Sequence, residues 1–104
     1  SLTAATLRYV AKFKHPLMVV FSSKGTVTWW RRNEEQMEGL FLEQAQAVTE
    51  ESRAAGRNND HGWVPVPWEA WFAHLDPRTG KLYEQARYFE TYDVSLSLLW
   101  FDGE

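Results

Sequence analysis

The clearest cluster of residues that could do chemistry is the run of Asn58, Asn59, Asp60 and His61. A histidine beside a carboxylate can transfer protons as a general acid or base, or it can ligate a metal with its tautomer fixed. Loops rich in asparagine and aspartate are also ordinary turn material, because their short side chains bond to nearby backbone groups. A turn is the favoured interpretation, and Asp60 and His61 are kept as candidate ligand-binding residues.

Other catalytic and metal-binding signatures are missing from the sequence. The three histidines, His15, His61 and His74, show neither i,i+4 nor HExxH spacing. There is no cysteine, which excludes disulfides, thiolate metal sites and cysteine nucleophiles. The chain also has no Walker A loop, no GxGxxG after a strand and no GxSxG elbow. We therefore expect no metal and no cofactor, but acids and bases assembled from separate strands would leave no local motif, so enzyme activity stays an open alternative.

Aromatic residues make up 15% of the chain and include six tryptophans. Three of these tryptophans lie close together in the sequence and near carboxylates. Flat rings can stack on an apolar or cationic ligand that a carboxylate orients. Large rings also fill small cores and seal subunit interfaces, which is the interpretation we favour. The predicted pocket residues are Trp63, Trp68, Trp71, Asp60, His61 and Glu69.

A third candidate is the run of Trp29, Trp30, Arg31 and Arg32, in a segment over residues 1–33 that contains no acidic residue. Aromatic rings can stack on bases and arginines can neutralise phosphates. The whole chain is acidic, however, with a formal net charge of -3. Its acidic segments can pair with these cations instead, so nucleic-acid binding is the least favoured function.

Residues 33–56 carry the strongest helix pattern. Asn33 can cap the first free N–H groups, Gln36 completes a capping box, and Gly56 can close the helix in the left-handed conformation. Apolar residues recur at helical spacing and predict a stripe that packs on a sheet. The stripe consists of Met37, Leu40, Phe41, Ala45, Val48 and Ala55.

Two residues disturb this predicted helix. Leu42 projects from the polar face, and Gln44 falls within the apolar stripe.

Adjacent Trp29 and Trp30 must point to opposite faces of a strand, so one of them lies outside the core. A spare tryptophan and an exposed leucine favour self-association, although single exposed leucines are also normal on monomers. The predicted interface residues are Trp29, Trp30 and Leu42.

Runs of β-branched and aromatic residues predict strands on both sides of the helix. Before it, residues 17–21 and 26–30 flank the turn residues 22–25 and form a hairpin. After it, residues 81–88 form one strand, and the clean alternation over 92–100 predicts another. These segments indicate an antiparallel sheet.

Three segments are less clear. Residues 1–14 fit both a helix and a strand, and we favour a strand. Residues 70–75 could begin a helix after Pro67, but the composition of the turn at 76–80 is typical of a hairpin and favours a strand. Two prolines within residues 63–68 predict an extended path that cannot be a central strand.

Together these patterns predict a single α+β domain over residues 1–104, in which an antiparallel sheet of about four to five strands packs on one long helix, residues 33–56. No apolar run reaches the roughly 18 residues of a membrane helix and no signal peptide is recognisable, so we expect a cytoplasmic protein without a membrane segment. The favoured function is a small binding or interaction protein that forms a homo-oligomer. The alternative is a small-molecule-binding protein or enzyme with a tryptophan-lined pocket for an apolar or cationic ligand.

Overall fold

The fold is built around one antiparallel sheet. The computed structural model describes residues 16–33 and 37–103, together with Ala4, Ala5, Arg8 and Lys12. The strands are β1 (Leu17–Ser23), β2 (Thr26–Arg32), β3 (Val64–Val66), β4 (Gly80–Phe89) and β5 (Val94–Gly103). They follow the order β2-β1-β5-β4-β3 across the sheet, and every neighbouring pair is antiparallel.

The first two strands form the predicted hairpin. β-branched and aromatic residues fill β2, and β1 is an apolar run. Lys24 and Gly25 form the turn with φ of 52° and 77°, the left-handed conformation that two-residue hairpin loops require. The pairing shifts between Phe21 and Ser22, where a bulge gives β2 one extra residue, Thr28. The prediction of a hairpin is confirmed.

The two longest strands form the other half of the sheet. β4 and β5 pair along their whole length, and they confirm the strands predicted over 81–88 and 92–100. Between them, the 3-10 turn Glu90–Tyr92 ends at Asp93, which has a left-handed φ of 50°. β5 also pairs with β1, so the centre of the sheet joins segments that are far apart in the sequence.

The predicted helix over residues 33–56 is wrong, because no long helix packs on the sheet within the described residues. Residues 37–53 form turns and extended chain, followed by a 3-10 turn at Ala54–Gly56. Ala45 departs from any helical path with φ of 54°. Leu40 and Leu42 are buried while Phe41 is 42% exposed, which is the alternation of an extended chain.

The backbone of this segment bonds to the hairpin instead of to itself. Val27 donates its N–H to the carbonyl oxygen of Gln46 at 2.8 Å, and Val48 donates to that of Gly25 at 2.9 Å. Asn33, the predicted helix cap, accepts the Leu17 N–H at 3.2 Å through its side-chain oxygen. Helix propensity is a weak preference that such tertiary contacts override. The fold is therefore sheet-rich, and the predicted α+β class with one long helix is corrected.

A short helix, α1 (Glu69–Phe72), occupies the segment predicted as a strand over 70–75, so that prediction is also wrong. Its hydrogen bonds begin directly after a proline, with the Ala70 N–H donating to Pro67 O at 3.0 Å. A proline is well suited to a helix start because it has no N–H to leave unpaired. The turn over 76–80 consequently joins α1 to β4 and does not close a hairpin. The proline-containing segment before α1 was predicted to be extended and not a central strand, and it contributes only the edge strand β3.

Both faces of the sheet bury apolar residues. On the first face, the segment between β2 and β4 covers the strands and completes the larger core. Its largest fully buried side chains include Trp71, Phe72, Met18, Met37, Leu40 and Leu99. On the second face, Leu17 and Val19 are fully buried, with the side chains of Trp29, Trp63, Leu96 and Leu98 packed around them.

The strand predicted within residues 1–14 falls mostly outside the described residues. Arg8 and Lys12 are described there, and both are helical and exposed. In the described part of the chain, no helix is long and apolar enough to cross a membrane.

Candidate functional site

The three tryptophans of the predicted pocket lie on different faces of the sheet. Trp63 packs on the second face, with its ring centre 5.7 Å from that of Trp100. Trp71 is fully buried in the core of the first face. Trp68 packs on the same core, with its ring centre 5.0 Å from that of Phe72. The structure thus brings Trp68 and Trp71 together but not Trp63, and these rings pack into the two apolar clusters.

The polar residues of the predicted pocket differ in their burial. His61 and Glu69 are exposed, whereas Asp60 is buried. The Asp60 carboxylate accepts hydrogen bonds from the Arg53 guanidinium at 2.8 Å and from the Ala86 N–H at 3.0 Å. Asp60 therefore ties its loop to strand β4 and to the preceding 3-10 turn.

Opposing effects set the pKa of Asp60. Burial raises this pKa, because desolvation disfavours the charged form. The hydrogen bonds from Arg53 and Ala86 and the charge of Arg53 outweigh burial, so the pKa lies below the usual aspartate value. The hydrogen bond to Asp60 in turn raises the pKa of Arg53. Both groups are ionised at neutral pH, so Asp60 is not suited to act as a general acid there.

A buried carboxylate that the sequence analysis missed lies in the centre of the first face. Glu84 is 0% exposed on β4. Its Oε1 accepts the backbone N–H of Arg53 at 2.8 Å and the indole N–H of Trp71 at 2.9 Å. Its Oε2 accepts the backbone N–H of Ala54 at 3.0 Å and the hydroxyl of Ser97 at 2.9 Å. One carboxylate thus joins the 3-10 turn, α1 and β5.

The alternation of β4 contained the signal that could have found this residue. Leu82 and Ala86 are buried, so Glu84, two residues from each, must point to the same face. Burial raises the pKa of Glu84, and the hydrogen bonds from its four donors counter part of that effect. Because the acceptor sites of the carboxylate are already occupied, we assign Glu84 a structural role.

The predicted interface residues do lie together. Trp29, Trp30 and Leu42 line a groove of about 340 Å³ between β2 and residues 42–45. Trp29 packs against the apolar cluster of the second face and Trp30 against that of the first, as their adjacency in a strand predicts. Leu42 is only 4% exposed, so its predicted exposure on a helix face is wrong. Its buried side chain forms part of the inner wall of the groove.

The other wall of the groove is the outer edge of β2. The Asn33 N–H donates to Leu17 O in β1 at 3.0 Å. In an antiparallel ladder every second residue bonds to the neighbouring strand, so the N–H and C=O of Trp30, three residues before Asn33, point away from β1. Between Thr28 and Arg31, no backbone group bonds to a described residue outside β1. This stretch is an open strand edge within the part of the chain that the structure describes.

Two arginines lie over the tryptophan rings of this strand. The guanidinium carbon of Arg31 is 5.6 Å from the ring centre of Trp29, and that of Arg32 is 5.8 Å from the ring centre of Trp30. Such contacts stabilise the ring and the cation together.

Among the described residues, no group of three or more histidine, aspartate or glutamate side chains could hold a metal ion. Comparisons with protein-family models and with curated proteins find no match to this sequence. The features that bear on function are therefore the chain's own: the groove beside β2 and the open edge of that strand.

Proposed function

We propose that this chain is an interaction protein that forms a dimer by pairing the outer edge of β2 with the same edge of a second copy. The observation that carries the proposal is the open backbone edge from Thr28 to Arg31, which lies beside the groove lined by Trp29, Trp30 and Leu42. Unpaired N–H and C=O groups along a strand edge are a template for another strand.

The opposite edge of the sheet supports this choice by contrast. β3 is only three residues long and contains Pro65, and Pro67 follows it. Short strands and prolines are the features by which proteins block pairing at an edge. β2 has seven residues, no proline and two adjacent tryptophans. β2 thus lacks both of these features, and what its edge does carry is the bulge at Thr28 and the charged Arg31 and Arg32.

A two-fold axis at Trp30 gives the dimer a defined register. The two copies of Trp30 then exchange their outward N–H and C=O groups, and Trp29 of one copy lies opposite Arg31 of the other. Arg31 already contacts the Trp29 ring within one chain, so the same cation–ring contact repeats across the interface. The pairing ends before Val27, whose N–H is bonded to Gln46. This complementarity favours a second copy over an unrelated strand.

Light scattering at protein concentrations of about 10 to 300 µM, the range suited to a modest interface, tests the dimer. The measured mass should rise from 12.2 kDa towards twice that value. Arg31→Glu should weaken the dimer, because it removes the cation that faces Trp29. Arg87→Glu makes the same charge change at an exposed position of β4 and should leave the mass unchanged.

Amide hydrogen exchange locates the interface. The Trp30 N–H should become more protected as the protein concentration rises, whereas the Arg31 N–H, which faces β1, should not change. A mass that stays at 12.2 kDa, or a dimer in which the Trp30 amide exchanges as fast as in the monomer, would refute the proposal. Protection of Trp30 only by an added extended peptide would also refute self-pairing and would assign the edge to a different partner.

A further inference from the structure

A polar cavity lies at the other end of the hairpin, away from the groove beside β2. Its volume is about 340 Å³, near the lower end of the range for small-molecule sites. The 3-10 turn at residues 54–56, the β1–β2 turn and the ends of β4 and β5 enclose it. We call it the hydroxyl pocket, and its polar lining residues are Ser22, Ser95, Tyr88, Lys24, Arg57 and Asp93.

Serine hydroxyls form the floor of the hydroxyl pocket. Ser22 pairs with Ser95 across β1 and β5, and Ser95 pairs with Tyr88 across β5 and β4. Ser22 is 4% exposed and Ser95 6% exposed. Neither serine hydroxyl has a hydrogen-bond partner among the described residues. Every fully buried polar side-chain atom of those residues does have a partner, so these two hydroxyls are not fully buried. Both hydroxyls must therefore open into the cavity, with free capacity to bind a polar ligand.

The rim of the hydroxyl pocket carries an excess of positive charge. Asp93 accepts the Tyr88 hydroxyl at 2.8 Å and lies 3.9 Å from the Arg57 guanidinium. The hydrogen bond to Asp93 raises the pKa of Tyr88, so the phenol stays protonated as a donor. Lys24 has no ion-pair partner among the described residues. Among the residues that line the pocket, Lys24 and Arg57 are cations and Asp93 is the one carboxylate, a balance that suits a single negative charge on a ligand.

The backbone around the cavity is held in an unusual conformation. Lys24, Arg57 and Asp93 have φ of 52°, 51° and 50°, the left-handed region that is unfavourable for residues other than glycine. Ala45 is the fourth such residue in the described part of the chain, and it lies elsewhere. Each of the three residues closes a turn: Lys24 lies in the β1–β2 turn, and Arg57 and Asp93 end the two 3-10 turns. These turns point all three charged residues at one cavity.

We propose that the hydroxyl pocket binds a small hydroxylated carboxylate. Lys24 and Arg57 hold the carboxylate at the rim, and the hydroxyls of Ser22 and Ser95 bond to the hydroxyl groups of the ligand. The aromatic ring of Tyr88, with Arg57 over it at 5.4 Å, forms one wall. A phosphate ester fits less well, because its second charge would face Asp93. This site is independent of pairing through β2.

An NMR titration of the ¹⁵N-labelled full chain with three hydroxylated monocarboxylates, lactate, glycerate and gluconate, tests the site. At least one of them should shift the amides of Ser22, Gly25, Arg57 and Ser95 to saturation at concentrations of about 10 mM or less. Glycerol, which has hydroxyls but no carboxylate, should cause no saturable shift at these residues. Inorganic phosphate should bind more weakly than the best carboxylate.

Matched variants separate this pocket from non-specific binding. Arg57→Gln should weaken binding of the best carboxylate by roughly 10-fold or more, the usual loss for a hydrogen bond to a charged group. Ser95→Ala removes a hydrogen bond between neutral groups and should weaken binding by roughly 2- to 10-fold. Arg87→Gln, at an exposed position of β4, should not weaken binding of the carboxylate. If Ser95→Ala fails to fold, Ser22→Ala is tested in its place. No saturable shift with any of the three carboxylates overturns the proposal, as does equal binding of glycerol or tighter binding of phosphate.

Discussion

Replacing Glu84 by glutamine tests the buried network of the first face with little change in side-chain volume. The NH2 group of glutamine cannot take the position of Oε1. The two groups that bond there, the Arg53 backbone N–H and the Trp71 indole N–H, are donors that cannot become acceptors. At the place of Oε2, the Ser97 hydroxyl can rotate to accept, but the Ala54 N–H loses its acceptor. A buried N–H without a partner costs about 1–3 kcal/mol, and each kcal/mol lowers the Tm of a domain of this size by roughly 4–8 °C.

The cost of Glu84→Gln should depend on pH. Burial raises the pKa of Glu84 in the folded protein, so above the ordinary glutamate pKa the folded protein keeps a proton that the unfolded chain has released. Between the ordinary and the raised pKa, the free energy of unfolding of the wild type therefore falls as pH rises. The glutamine variant lacks this dependence. Its disadvantage should be largest at the acid end of the window and should shrink towards neutral pH.

Urea unfolding followed by tryptophan fluorescence, repeated between about pH 5 and pH 8, measures this difference. Glu69→Gln makes the same change at an exposed carboxylate and should alter the free energy of unfolding little at any pH in that range. The account of the Glu84 network is refuted if Glu84→Gln costs less than about 0.5 kcal/mol at every pH in that range. A cost that grows as pH rises would refute the raised pKa.

Three further substitutions test other parts of the fold. Asp60→Asn should lower the free energy of unfolding by about 1–3 kcal/mol at neutral pH. The pKa of Asp60 is lowered in the folded protein, so the wild type should lose this extra stability as the pH falls through that lowered pKa. Urea unfolding at several pH values would show this. Gly80→Ala should lower the Tm far more than Gly62→Ala. Gly80 has φ of 141°, and a Cβ added there would lie 2.5 Å from a backbone oxygen of β5, whereas a Cβ added at Gly62 would meet no atom within 4 Å. Ala45→Gly should raise stability by about 1 kcal/mol by relieving a left-handed alanine, and a lower Tm would contradict this.

Strands β1, β2, β4 and β5 were predictable because each of them contains its own signal. The hairpin of β1 and β2 has a turn that only certain residues adopt, and β4 and β5 alternate over long stretches. The segment 37–53 has no such local determinant. Leu40 and Phe41 fit the predicted helical stripe and Leu42 does not, whereas in the structure Leu40 and Leu42 are buried and Phe41 is exposed, as in an extended chain. Hydrogen bonds to the hairpin stabilise the extended chain, and the sequence of residues 37–53 alone does not specify those bonds.

The candidate sites were predictable only in part, for a similar reason. Adjacent Trp29 and Trp30 correctly implied two faces, and both line the groove beside β2. The surroundings of Glu84 come from three distant segments, so they exist only once the sheet has its register. Ser22 and Ser95 are ordinary residues in isolation, and their pairing across β1 and β5 alone places two free hydroxyls in one cavity.

The position of β1 between β2 and β5 has a consequence for synthesis of the protein. Leu17 lies opposite Trp100, so about 80 residues must be looped together before the central pair forms, and such long-range pairing folds slowly. On the ribosome, the hairpin leaves the exit tunnel long before its neighbour β5 exists. During that interval the apolar residues of β1 have no permanent cover, which makes the nascent chain a client for chaperones and prone to aggregate. A product terminated before β5 should therefore be cleared by proteases, because it cannot complete the sheet on its own.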